Sequence, residues 1–292
     1  FKKNKTESLT QTEIEHELID LLKKSIQRRL MSDVPLGVFL SGGIDSSSIV
    51  ALLAEMMDPR KIKTFSIGFE ENSFDESKYA SQVARIFKTD HREQMLTLDI
   101  MLKIMPEVIE KLDEPFADAS IIPTYLLSKF TREHVTVALG GDGGDELFAG
   151  YDPFLAHYWA GYYEMMPYKI HDLLIKPLVR RIPVSTRNMS FDFKVKHFLR
   201  GVYHKTAIRN QRWLGSFTPE QQTELLSDDV KARINIAPYQ DIDNINESLP
   251  DELSKLAFVY QKYYLADDIL VKIDRASMMN SLEARSPFLD VE

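Results

Sequence analysis

The sequence predicts an α/β protein: a parallel sheet with helices on both faces, followed by a mainly helical C-terminal region. Three observations predict it. An apolar run over 34–40 leads through Ser41-Gly42-Gly43 into a helical pattern over 48–57. Strand-like and helix-like segments then alternate as far as Leu139, the order that builds a parallel sheet. Eight of the twelve glycines fall in 37–43 or 140–150, so glycine is concentrated at two strand ends, where ligands bind in such sheets.

Residues 11–30 carry Ile14, Leu18, Leu22 and Ile26 at i,i+4 spacing and predict an amphipathic helix. The strand at 34–40, its glycine turn and the helix after it come next. A second strand is expected over 63–69, a helix over 75–88, a short strand over 92–97 and a helix over 99–111. A further helix over 120–132 precedes a β-branched strand at 135–139. Beyond Tyr151 the chain turns aromatic and helical in pattern, with no convincing strand. Residues 176–212 are basic and 220–252 acidic, which ordinarily marks solvated helical faces and otherwise a docking surface. The acidic, proline-containing stretch 237–250 reads as a long exposed loop.

The 292 residues, 44% of them hydrophobic, suffice for one large or two smaller domains with a sizeable core. A net charge of −8 does not favour nucleic acid as a partner. No stretch is apolar enough to span a bilayer, and no apolar segment follows the basic residues 1–5. The expectation is a cytoplasmic protein with no membrane partner. Cysteine is absent, which excludes disulfides, zinc–thiolate sites and a cysteine nucleophile on this chain. The seven histidines lack metal-ligand spacing, and no Gly-x-Ser-x-Gly elbow anchors a hydrolase triad.

The stretch Ser41-Gly42-Gly43-Ile44-Asp45-Ser46-Ser47 has the makings of an anion site. Glycines let backbone N–H groups approach a phosphate, serines add donors, and the helix start adds partial positive charge. A carboxylate in that turn, Asp45, would repel phosphate unless a cation lies between them, so it argues for Mg²⁺. Neither the Walker nor the Rossmann glycine pattern is present. The second cluster, Gly140-Gly141-Asp142-Gly143-Gly144-Asp145-Glu146, packs three carboxylates into five positions. Such crowding calls for a cation or a cationic substrate group, and Asp45 with Asp145 makes a Mg²⁺ pair. Near the C-terminus, Asp268, Lys272 and Arg275 share a helical face at i,i+4 and i,i+3 spacing, where an Asp–Lys pair is a modest surface bridge. Glu283 and Arg285, beside Pro287-Phe288-Leu289, read as a buried ion pair or a site wall.

Residues 41–47 resemble the PP-loop of the N-type ATP pyrophosphatases, which cleave ATP between its α and β phosphates and have an adenine nucleotide alpha hydrolase-like fold. With Asp113-Glu114-Pro115-Phe116-Ala117-Asp118, 139–151 and 272–290, the set is similar to the synthetase domain of glutamine-hydrolysing asparagine synthetases. The resemblance implies one synthetase domain over 1–292, with a nucleotide-binding core at 12–151 and a helical part at 152–292. It implies that the β-carboxylate of aspartate attacks ATP, giving β-aspartyl-AMP and pyrophosphate, and that ammonia then displaces AMP. Ser41, Gly42, Gly43, Ser46 and Ser47 would hold phosphates; Asp45 and Asp145 would bind Mg²⁺. The backbones at Phe39, Leu40, Ile67, Gly68 and Gly141 would line the adenine and ribose pocket. Asp142, where some relatives carry Glu, would orient substrate, and Lys272, Asp274 and Arg275 would shape the substrate side. Asp142, Asp45 and Lys272 are thus the candidate catalytic residues.

The family's Cys-led glutaminase domain has no counterpart in the sequence, so ammonia would come from a glutaminase partner. The sequence also stops just past Asp290, where relatives supply a further lysine; a trimmed, poorly catalytic chain is expected. A homodimer is compatible with the resemblance. A β-lactam synthetase-like or peptide-cyclising relative, or a nucleotide-binding module without catalysis, would carry the same motifs.

Overall fold

Five short strands, β1 (Leu36–Phe39), β2 (Lys63–Phe69), β3 (Asp90–Leu96), β4 (Val137–Leu139) and β5 (Glu283–Arg285), form one sheet in the order β3-β2-β1-β4-β5. All four pairings are parallel. The computed structural model describes residues 9–215, 217–234, 239–245, 249 and 251–291. Two compact units divide it. The first is 1–144 with 266–292, and the second is 145–265.

In the first unit, helices α1 (Gln11–Leu30), α2 (Ile44–Met56) and α3 (Ser77–Phe87) cover one face of the sheet, and α4 (Leu98–Lys111) and α5 (Ile121–Arg132) the other. The side-chain period of two within strands makes this possible. Val38 joins the cluster of Ile26, Ile49, Val50 and Leu53, whereas Phe39 packs with Phe65, Ala138, Ile273 and Leu282 on the opposite face. Strands buried on both faces read as continuous apolar runs, which is why β1 and β4 stand out in the sequence.

Strand β5 corrects the expectation that no strand follows Tyr151. Its three residues, Glu283-Ala284-Arg285, carry no apolar run; pairing with β4, Val137 to Glu283 through Leu139 to Arg285, makes them a strand. The helical face expected for Asp268, Lys272 and Arg275 lies on a composite helix. A π-helical stretch, Tyr260–Ile269, passes into an α-helix, Leu270–Met278, that stops before the strand.

Arg285 and Glu283 settle into a surface pair at 2.7 Å, with Glu283 exposed. Arg285 does more at the end of α1, donating to the carbonyls of Arg29 (2.6 Å) and Met31 (2.9 Å), which the helix leaves without intrahelical partners. Asp290 accepts from Arg28 and Arg29, and Ser25 donates to the Pro287 carbonyl at 2.5 Å. The C-terminal segment is thereby clamped to α1. Replacing Arg285 by alanine is expected to lower stability by about 1.5–3 kcal/mol, the range for hydrogen bonds to a charged group, as read by urea unfolding.

The second unit is helical. Its elements include α6 (Gly144–Phe148), which opens on the unit boundary, and α7 (Asp152–Tyr163), followed by a helical run over 168–180 and the helices Phe191–Gly201, Thr206–Leu214 and Glu252–Val259. Ala160, Val202 and Trp213 make one small core; Ala207, Ile242, Ile245 and Val259 make another. Of the loop expected over 237–250, residues 237–238, 246–248 and 250 lie outside the described residues, and Gln240–Asp243 is a short helix.

Candidate functional site

The strand order reverses between β1 and β4: the chain winds outward through β2 and β3 on one side and through β5 on the other. Such a switch point opens a crevice at the carboxyl ends of the strands. Both glycine clusters leave the sheet there, the first after β1 and the second after β4.

Gly42 takes φ +84°, and a Cβ on it would lie 2.5 Å from the Ala80 nitrogen and from Tyr79. Only glycine lets the turn pass under the start of α3 with that backbone. The turn is braced internally. The Ser41 N–H donates to the Ser46 hydroxyl at 3.2 Å, the two hydroxyls lie 3.0 Å apart, and the Gly43 N–H donates to Ser41 Oγ at 3.2 Å. Gly43 is the N-cap of α2 and brings no side-chain acceptor to the first turn. A helix start of this kind favours negative charge. The Ser47 hydroxyl is buried without a hydrogen-bond partner among the described residues, a donor that suits an incoming oxygen ligand.

The second glycine loop presses on the first. A Cβ on Gly141 would come within 3.1 Å of the Ser46 nitrogen, and one on Gly144 within 2.3 Å of the Asp45 carboxyl carbon. The Asp45 carboxylate therefore rests on glycine backbone, and any side chain at position 144 would force it or the loop to shift. Gly143, at φ +93°, is backed by Leu289: a Cβ there would lie 2.3 Å from a Leu289 methyl. The Pro287–Leu289 turn is thus a wall behind the second loop. Asp142 folds back over Gly140. Burial pushes its carboxyl up, against the opposing pull of Lys272 and a hydrogen bond involving Ser286. Burial also pushes Asp145 up; its carboxylate lies against Gly150 within the second unit. Glu146 is a structural residue: almost fully buried, it accepts the Tyr151 hydroxyl at 2.5 Å.

Helix Leu270–Met278 brings its cations to the 113–118 segment. Lys272 donates to Asp118 at 2.8 Å with both side chains largely buried, and Arg275 pairs with Asp113 and Glu114. The i,i+4 bridge to Asp268 expected from spacing gives way to this non-local pair. Burial pushes the Asp118 carboxyl up, but the Lys272 bond and hydrogen bonds from Ser120 outweigh it and hold it below the usual range. A depressed carboxylate stabilises the fold above its unfolded pKa and loses that contribution as pH falls through the folded value. Lys272→Met should cost about 3–5 kcal/mol by leaving Asp118 buried and unpaired. The double variant Lys272→Met/Asp118→Leu should recover most of it in urea unfolding.

The family model described as asparagine synthase matches residues 17–292. The chain belongs to the asparagine synthase family. It is similar to asparagine synthetase [glutamine-hydrolyzing] 1 of Bacillus subtilis, 31% identical over 283 residues that cover 94% of this chain and 42% of that protein. It is also similar to a putative asparagine synthetase [glutamine-hydrolyzing] 2 of Methanocaldococcus jannaschii, 33% identical over 89% of this chain and 48% of that one. The chain thus spans less than half the length of either relative. Among solved structures, NH3-dependent NAD synthetase from Campylobacter jejuni aligns over 84% of this chain and 99% of its own, at 12% identity and a TM-score of 0.34.

In this member of the asparagine synthase family, Phe39, Leu40, Ser41, Gly42, Gly43, Asp45, Ser46 and Ser47 lie in one stretch from the end of β1 into α2, beside Gly141. Ile67 and Gly68 sit near the end of β2, the strand paired with β1; Gly68 is buried against Met95. Lys272 lies in the same unit, held by Asp118. Among the described residues no group of three or more His, Asp or Glu side chains is arranged to hold a metal. Three contributors escaped the sequence reading: Asp118 and Ser286, which meet Lys272 and Asp142 only through the fold, and Gly144, the seat of Asp45. The Asp113–Asp118 segment was conspicuous as a motif, but its partners lie more than 150 residues away.

Proposed function

We propose that this chain is the synthetase part of an amide-forming ligase that makes asparagine. ATP would lie across the switch point, with Ser41, Gly42, Gly43, Ser46 and Ser47 on its phosphates. The backbones at Phe39, Leu40, Ile67, Gly68 and Gly141 would lie along adenine and ribose. The aspartate β-carboxylate would attack the α-phosphorus, expelling pyrophosphate, and ammonia would then displace AMP from β-aspartyl-AMP. The observation that carries this reading is the close approach of the two glycine loops, Gly141 and Gly144 against Ser46 and Asp45, at the point of strand reversal.

Two anions must meet in this reaction, so positioned donors and cations supply much of the catalysis. A bound Mg²⁺ would offset the triphosphate charge, with Asp45 and Asp145 as its carboxylates. Lys272, held by Asp118, would place one positive charge near Asp142, which would orient the amino-acid substrate. The relatives' descriptor, glutamine-hydrolyzing, supports a glutaminase partner as the ammonia source.

The test is ATP–pyrophosphate exchange with the purified chain, Mg²⁺ and a panel of carboxylic acids. Exchange that requires aspartate is expected. Exchange with another acid and none with aspartate would move the chain to a related ligase. No exchange with any acid, in a chain that binds Mg·ATP, would point to a nucleotide-binding module.

A further inference from the structure

The helical run over 168–180 is inside out. Its segments Tyr168–Ile170, the π turn His171–Ile175 and Lys176–Arg180 turn a histidine inward and leucines outward. His171 is 3% exposed; its Nδ1 lies 3.0 Å from the Tyr163 hydroxyl, and its ring packs with Tyr168 and Tyr203. Ile170, Leu173, Leu174 and Leu178 are exposed, Leu173 to 71% and Leu178 to 62%. A solvated helix ordinarily hides this stripe and shows its polar face.

Cations border the leucines. Lys169, Lys176, Arg180 and Arg181 stand against one carboxylate, Asp172, which pairs with Lys176 at 3.3 Å. Lys169, Arg180 and Arg181 are exposed and make no ion pair among the described residues. This local excess lies in a chain whose net charge is −8. A second copy on the same face, related by a two-fold, would bring these cations toward each other. Apolar side chains bordered by cations instead match the boundary of an anionic bilayer, where leucines enter the acyl layer and Lys and Arg meet headgroups.

We propose that the 168–181 segment is a docking surface for an anionic membrane. No helix among the described residues is long and apolar enough to cross a bilayer, so the seat is on the surface. The sequence-level expectation of no membrane partner rested on the missing span, and a surface seat needs none.

Vesicle flotation tests this with phosphatidylcholine vesicles, pure or containing about one-third phosphatidylglycerol, at low and physiological salt. The chain should float with the anionic vesicles, at least tenfold more than with the neutral ones, and salt should weaken the association. Leu173→Asp/Leu174→Asp should lower partitioning at least tenfold on anionic vesicles. Lys169→Glu/Arg180→Glu should abolish the preference for them. Circular dichroism and melting of both variants must match the parent, since the replaced side chains are exposed. If a variant misfolds, Leu173→Ser/Leu174→Ser takes its place. Equal flotation on both vesicle types, none on either, or anionic binding that survives the leucine changes would overturn the proposal. A dimer in light scattering that Leu173→Asp/Leu174→Asp dissolves, without vesicle binding, would assign the face to a second copy.

Discussion

Asp45→Ala is expected to abolish Mg²⁺-dependent ATP–pyrophosphate exchange, lowering it by about 10²–10³-fold, the scale on which one preorganised electrostatic contact at a reacting centre acts. The fold should survive, because Asp45 opens α2 at a half-buried position rather than filling the core. Gly144→Ala is the sharper experiment. It leaves every charge in place but puts a methyl 2.3 Å from the Asp45 carboxyl carbon, so either the carboxylate or the loop must move. A misplacement of about 1 Å at reacting groups can cost about 10²-fold. Gly144→Ala should therefore approach Asp45→Ala in exchange activity. Binding of ATP without metal should change little in either variant. Isothermal titration with and without Mg²⁺, beside the exchange assay, reads both effects. Full exchange activity in Gly144→Ala would show that the two loops do not act as one site.

That experiment turns on what the sequence made legible. Both glycine clusters are local signals: Gly42 and Gly143 adopt positive φ, and glycine in such turns reports on backbone close to itself. Strands β1 and β4 were equally legible because burial on both faces forces an apolar run. What the sequence hid was pairing between distant segments. Nothing local to Glu283-Ala284-Arg285 says strand; β4 says it for them. Lys272 four residues after Asp268 looks like a surface bridge, yet burial selects Asp118, 154 residues away, because that pair shares a desolvated space. Arg285 read as half of a buried ion pair with Glu283 or as part of a site wall, and it caps the end of α1 beside a surface pair. The outward leucines of 168–180 were hidden for a different reason. Spacing shows that a helix has an apolar face but not which way the face points, and the buried His171 decides that only in three dimensions.

The helical unit should lose stability in acid through His157. His157 is 8% exposed, its Nε2 lies 3.4 Å from Asn210 Oδ1, and its ring packs 4.5 Å from that of Trp213. Burial, reinforced by the Arg209 charge and only partly opposed by Asn210, lowers its pKa to about 3. In the unfolded chain it titrates near 6.5. Between those values the unfolded state takes up a proton that the folded state refuses, so stability falls as pH drops below about 6.5 and levels off near 3. The slope approaches about 1.4 kcal/mol per pH unit, or about 2 kcal/mol between pH 7.5 and 5. His157→Gln keeps a polar side chain and removes the titration. At pH 7.5 it should be less stable than the parent by about 1–2 kcal/mol, through lost packing and a weakened bond to Asn210. At pH 5 that gap should close or reverse. Other histidines with lowered pKa, His91, His171, His197 and His204, titrate in both proteins and cancel in the difference. Urea unfolding at half-unit pH intervals supplies the two curves. Parallel curves would mean that His157 is charged, or water-exposed, in the folded helical unit.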